Sequence, residues 1–250
     1  MYNLLISLGL SLLGYALGAL VAGWLAGFLP AIIVLLTAYF FLARRTGRQL
    51  EALMKQAGDA FQAQKLDRGR ELLQQGFALA KWQFLVAEQI HAQLGAVDYL
   101  QRSWKGAREH LEKSWSRNWM SQAMLACLDH REGKPAEALA RMEKATGPGG
   151  GDPSFWAVYG WLALESGDRD KAVAVLAQGL KKNEASKPLA EFADAVRNKK
   201  RIRPDKQFAG FAPGWYQFFP EHIPPQQVAQ MTGQKAPGYS YPAPRGFRRG

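Results

Sequence analysis

Residues 4–43 are apolar almost without interruption; apart from Tyr and Trp, only Ser7, Ser11 and Thr37 carry strongly hydrogen-bonding side chains. As one straight helix this stretch would run about 60 Å, roughly twice the hydrocarbon core of a bilayer. The pattern therefore predicts a helical hairpin that crosses a membrane twice. Its turn is expected near residues 23–30, where Gly23 and Gly27 weaken the helix and Pro30 suits the start of a new one. A single span followed by an interfacial segment is the alternative. From Leu50 to Ser186 the pattern changes to apolar positions at helical spacing with charged faces between them. Pro188, Leu189, Phe192 and Val196 then predict one more amphipathic helix. Beyond residue 200, Pro and Gly are too frequent for long elements. The expected class is all-α: a transmembrane hairpin over residues 1–43, a basic collar at 44–50, a solenoid with a capping helix over 51–200, and a largely irregular tail over 201–250.

Within the middle stretch small residues recur at fixed intervals. Gly95, Ala126 and Gly160 are each followed twelve residues later by Ala107, Ala138 and Ala172. Seven residues further on come Ser114, Ala145 and Gly179. A first, shorter repeat places Gly58, Gly69 and Gly76 in the same roles, one residue out of step between the first two. Small residues at these positions let successive helices approach, while Leu73, Leu111, Met142 and Leu176 fill the gaps between them. This arrangement resembles the tetratricopeptide repeat family, whose pattern has small residues at positions 8, 20 and 27 and a large one at 24. Repeats two to four carry the resemblance best, and the family's proline at position 32 is absent throughout. Residues 147–151, Gly-Pro-Gly-Gly-Gly, are expected to form a flexible joint between repeats three and four.

The resemblance implies four helix-turn-helix repeats with a concave groove lined by the first helix of each. Counting from the position-8 residues, that groove would present Lys55, Asp59 and Gln62, then Gln89, Ala96, Tyr99 and Leu100. Repeat three would add Met120, Cys127, His130 and Arg131, and repeat four Ser154, Trp161, Leu164 and Glu165. Apolar and aromatic anchors at Tyr99, Met120 and Trp161 beside a few polar groups suit a peptide or helix with an apolar face. Some members grip a C-terminal carboxylate with Lys and Asn; Lys55 matches, but Asp59 stands where the Asn would be, so that reading is set aside.

Charge sharpens the division of the chain. The net charge is +11, yet residues 49–196 hold 19 basic and 19 acidic residues. The excess lies in Arg44, Arg45 and Arg48 and in residues 197–250, with 10 basic and 2 acidic groups. This is not a uniformly basic nucleic-acid-binding surface. The arginines after the second apolar helix favour the cytoplasmic side. The expected setting is an integral membrane protein, in a bacterial inner membrane, with its solenoid cytoplasmic; with a single span the solenoid would instead be periplasmic. The first residues lack the basic group of a cleaved signal peptide, and the apolar run is too long for one. Gly14 and Gly18, like Gly23 and Gly27, stand four apart and allow close helix packing within the hairpin or in a homo-oligomer.

Nothing in the sequence supports catalysis. The histidines at 91, 110, 130 and 222 are far apart, the single cysteine Cys127 has no partner, and no phosphate-binding loop is present. No cofactor or metal is expected. The tail pairs basic residues such as Arg201 and Arg203 with Phe211, Trp215 and Tyr216. These residues suit the solenoid surface, an anionic membrane surface or a partner; stacking on single-stranded RNA uses similar chemistry on a weaker signal. The expected function is a membrane-tethered scaffold that holds a protein partner at the inner membrane face. The alternatives are a structural subunit of a larger membrane complex, or a lipid- or RNA-binding module acting through the tail.

Overall fold

The computed structural model describes residues 1–211 and 214–222. The elements are α-helices and short 3-10 turns, with no strand among the described residues. The chain divides into two compact units, one of Met1–Leu94 with Lys113–Trp115, the other of Gly95–Glu112 with Ser116–Gly250.

In the first unit, α1 (Tyr2–Ala22) and α2 (Phe28–Gln62) form an antiparallel hairpin joined at Gly23 to Gly27. Both are long and apolar enough to cross a membrane, and most of their apolar side chains, such as Leu12, Leu17, Leu20 and Phe41, face outward. The contact face is built from small residues. A Cβ on Gly18 would lie 2.7 Å from Pro30 Cγ and 2.9 Å from Gly27 Cα, and one on Gly27 would lie 2.7 Å from the Tyr15 carbonyl oxygen. Gly14 sits against Val34. Gly23 differs: it packs against nothing but has φ +88°, so it serves the turn rather than the helix contact. Ser11 donates across the hairpin to the Ala31 carbonyl at 3.0 Å. At the open end the buried Asn3 donates to Thr46 Oγ1 at 2.9 Å and to Gln83 Oε1 at 3.1 Å, and Gln83 donates to the Tyr39 hydroxyl at 3.1 Å. The start of α1 is thereby fixed beside residue 46 and beside the 81–85 loop, which exposes Trp82 and Phe84.

The expected boundary between hairpin, collar and first repeat lies inside α2, which continues unbroken for 35 residues. No proline interrupts residues 44–62, and the stretch is rich in Leu, Ala, Arg, Gln and Lys, which favour helix. The collar and the first helix of repeat one are therefore the charged C-terminal end of the second apolar helix, not separate elements. α3 (Leu66–Gln75) folds back on it, and α4 (Phe77–Ala80) and the start of α5 (Val86–Leu100) complete a small core of Leu50, Ala57, Leu72, Leu73, Val86, Ile90 and Leu94.

The second unit takes up the end of α5 with α6 (Trp104–Leu111), then α7 (Trp119–Arg131), α8 (Pro135–Lys144), α9 (Thr146–Gly149), α10 (Pro153–Glu165), α11 (Arg169–Lys182) and α12 (Lys187–Arg197). Caps set the helix starts: Asn118, Asp152 and Asp168 each accept from backbone N–H groups of the first turn, and Pro135, Pro153 and Pro188 stand within the first two positions. The repeat spacing is visible as contacts. A Cβ on Gly95 would lie 2.7 Å from Leu111, one on Gly160 2.7 Å from Leu176, and one on Gly179 2.5 Å from Trp156. Ala107, Ala126, Ala138 and Ala172 are fully buried. α12 covers the end with Leu189, Phe192 and Val196.

One backbone feature recurs in all four repeats. The residue that ends the first helix of each has positive φ: Gln64 (60°), Arg102 (61°), Gly133 (78°) and Gly167 (83°). The following N–H returns to a carbonyl five residues back, Lys65 to Ala60 and Ser103 to Asp98 and Lys134 to Asp129 at 2.9 Å, and Asp168 to Ala163 at 3.0 Å. This is the left-handed C-terminal cap in which glycine is favoured. It fixes the register: these residues stand seven after Gly95, Ala126 and Gly160, and in repeat one seven after Ala57. Ala57 is buried, whereas a Cβ on Gly58 would meet nothing. The crossing residue of repeat one is therefore Ala57, not Gly58, and the twelve-residue spacing to Gly69 is restored. The expected flexible joint at residues 147–151 is also corrected. α9 makes it a helical turn; Gly149 lies against Phe155, and the Gly150 carbonyl accepts from Trp156 Nε1 at 2.9 Å and Asn183 Nδ2 at 3.1 Å. Only Gly149 lies under a ring; a Cβ on Gly150 would meet the Thr146 carbonyl oxygen and the Lys182 side chain, and one on Gly147 or Gly151 would meet nothing.

Candidate functional site

One face of the second unit, carrying Tyr99 and Trp161, is covered by the chain itself. After α12, residues 198–203 lead into α13 (Pro204–Gln207) and three 3-10 turns at Ala209–Phe211, Gly214–Gln217 and Pro220–His222. Phe208, Phe211, Trp215, Phe218 and Phe219 are buried. The centre is Trp161 of α10. Its ring meets Phe208 edge-on at 5.3 Å, Trp215 at 6.3 Å, Phe219 at 6.5 Å and His222 at 5.9 Å. Trp215 stacks on Phe208 at 3.5 Å and on Phe219 at 4.6 Å, and donates from Nε1 to His222 Nδ1 at 3.1 Å. Phe208 also meets Phe192 of the capping helix, and Phe218 stacks near Trp119. Gly210 lies against Pro188 with no room for a side chain.

Polar contacts hold the backbone of this segment. Tyr99 donates its hydroxyl to the Phe218 carbonyl at 2.7 Å. Arg131 forms an ion pair with Glu221 while its guanidinium lies 4.7 Å over the Trp104 ring. Between segment and groove floor remains a cavity of about 130 Å³, lined among others by Cys127, His130, Arg131, Trp161, Glu165, Glu221 and His222. Burial pushes the Cys127 thiol up to about 12 and the Tyr99 phenol well above its ordinary value. Burial, aided by the nearby Arg131, lowers His130; burial raises the Glu165 carboxyl. Behind this face the buried Asp129 is held by Arg108 at 2.9 Å and by Arg141 at 2.8 Å. That triad links consecutive helices and is structural. Among the described residues no group of three His, Cys, Asp or Glu is placed to hold a metal ion.

The expected groove residues thus divide. Tyr99, His130, Arg131, Trp161 and Glu165 come together on one face, with the bound segment over them. Met120 is exposed in the first turn of α7. Lys55, Gln62 and Gln89 are exposed in the first unit, and the shifted register of repeat one turns Lys55 from position 5 to position 6. Of the three settings expected for the tail aromatics, the structure shows the repeat surface at Tyr99 and Trp161, because five aromatic side chains in a short segment lose less by docking than by remaining in water. Of the tail residues expected to contact membrane or partner, Phe211 and Trp215 are buried here and Tyr216 packs against the same core, while Arg201 and Arg203 remain exposed. The described residues of this segment, 204–211 and 214–222, hold one four-residue helix and three short 3-10 turns. The basic C-terminal end lies outside the described residues.

Sequence reasoning did not single out Phe208, Phe218, Phe219, Glu221 and His222 as groove contacts. The signal was present: Glu221 is one of only two acids after residue 196, and it stands two residues from an aromatic pair.

No protein-family model matches the chain, and no curated protein matches it. A solved structure, "Crystal structure of MamA protein", is similar at 16% identity and a TM-score of 0.43, over 81% of this chain and 98% of that one.

Proposed function

We propose that the chain is a non-catalytic, membrane-tethered scaffold whose groove in the second unit takes a partner polypeptide through aromatic anchoring. The observation that carries this reading is the covered face: helices α5, α7 and α10 already hold an aromatic segment by edge contact with Trp161, by the Tyr99 hydroxyl and by Arg131. A surface able to hold one such segment has the chemistry to hold another. The tether is α1 and α2, with lipid as the surroundings of their outward apolar faces. The exposed Trp82 and Phe84, beside Lys81 and level with the hairpin's open end, suit the headgroup layer. Arg44, Arg45 and Arg48 favour the cytoplasmic face of a bacterial inner membrane. Assembly or recruitment of a protein at that face is the role this arrangement serves. The alternative of a structural subunit held through Gly14 and Gly18 is less favoured, because those glycines are already in contact with Val34 and Pro30 inside the hairpin.

The test is a photo-crosslinking residue at position 130 or 165 of the full chain in native membranes. Adducts with a second protein at these positions, and none from position 137 on the outer face of α8, are expected. Adducts with lipid alone, or equal yields from all three positions, would reject the groove as a partner site.

A further inference from the structure

The described residues of 204–222 cover one face of the repeats, beyond the end that α12 closes. α12 already covers the end of the stack with Leu189, Phe192 and Val196. The segment instead lies on the face carrying Tyr99, Cys127, Arg131, Trp161 and Glu165. Among its described residues it has little backbone structure of its own, one four-residue helix and three 3-10 turns. Its backbone is held from outside through the Tyr99 hydroxyl, and an ion pair joins Glu221 to Arg131 near the surface. The linker before it is basic, with Arg201 and Arg203 exposed. A cavity is left beneath Phe219, Glu221 and His222, with the polar groups of His130 and Glu165 in its wall.

We propose that residues 204–222 are a built-in ligand, and that the partner is a polypeptide segment of the same chemistry that replaces it: a Trp, then an aromatic pair three and four residues on, then a carboxylate two residues after the pair. Those are the spacings of Trp215, Phe218, Phe219 and Glu221. Trp161 selects the aromatic rings by edge contact. Arg131, backed by the Trp104 ring, selects the carboxylate. This rests on the reading of the groove as the partner site and names what the groove recognises. The docked segment also sets a threshold: an external segment binds with an affinity reduced by the fraction of time the groove is open.

The single cysteine provides the readout. Cys127 lies on the groove floor and is buried with the segment in place. In the full chain in nanodiscs, Glu221→Arg or Arg131→Glu should raise the rate of Cys127 modification by a small maleimide at least tenfold, and the double exchange Arg131→Glu with Glu221→Arg should return it towards the starting rate. A synthetic peptide of residues 204–222, added to the Glu221→Arg chain, should slow the modification again; the same peptide with W215A should not. An unchanged rate in both single variants would overturn the proposal, as would loss of helix content by circular dichroism in either, since a ligand is dispensable to the fold that holds it. Failure of the peptide to protect Cys127 would overturn it as well. If thiol and peptide respond as stated while positions 130 and 165 crosslink to no second protein, the scaffold reading fails and the built-in ligand stands.

Discussion

Gly58→Ala and Gly160→Ala are the same chemical change in two first helices of the repeats, and they should move stability in opposite directions. At Gly58 the added methyl meets nothing within 4 Å. Alanine in a helix interior is better than glycine by about 0.5–1 kcal/mol, so the variant should be stabilised by that amount. At Gly160 the added carbon would lie 2.7 Å from both Cγ and Cδ2 of Leu176, a fully buried side chain. Forcing a carbon into a packed core typically costs about 1–3 kcal/mol; after the helix gain this leaves a loss of roughly 1–2 kcal/mol. Two compact units need not unfold in one transition, so a single melting temperature is a poor measure. Amide hydrogen exchange of detergent-solubilised chain, resolved by peptide, reads each unit separately. A 1 kcal/mol gain should slow exchange of the most protected α2 and α3 amides roughly fivefold, while Gly160→Ala should speed exchange in α10 and α11. If Gly58→Ala instead speeds exchange in α2 and α3, then Gly58 is the crossing residue after all, and the register drawn from Ala57 and the positive-φ caps is wrong.

Gly133→Ala and Gly167→Ala test those caps. Neither added methyl meets an atom, so the left-handed backbone alone should cost about 1 kcal/mol each, read as faster exchange in α7 and α10. Gly18→Leu should open the membrane hairpin, because even a Cβ there meets Pro30 and Gly27; a disulfide between cysteines placed at positions 11 and 31, in a Cys127→Ser background, should form in the parent and be lost in the variant. The lowered His130 has a definite sign: below its ordinary value the unfolded chain binds the proton and the folded chain does not, so its contribution is complete above about pH 6.5 and is lost as pH falls. Glu165 acts oppositely at lower pH, its raised value favouring the folded state while protonated and disfavouring it as pH rises. The difference in denaturant midpoint between the parent and His130→Gln should therefore shrink between pH 7 and pH 5; a difference constant over that range would refute a neutral, half-buried His130.

Local and periodic features of this protein were settled by its sequence. Forty consecutive residues without charge define two long apolar helices, because no charged group interrupts them and glycines mark the turn. The intervals from Gly95 to Ala107 and from Gly160 to Ala172 define paired helices, because only small side chains fit where two helices cross. Two kinds of information depended on the fold. One is register where the pattern is weak: Ala57 and Gly58 are both small, and only the positive φ at Gln64 and the buried face of α2 separate them. The other is what covers an exposed-looking face. Tyr99 and Trp161 occupy groove positions whether the groove is open or filled, and the tail's rings occupy the same sequence whether they meet lipid, a partner or Trp161. That choice depends on free energies between residues more than a hundred positions apart, such as Tyr99 and Phe218. Periodicity carries no information about such pairs; only the tertiary structure brings them together.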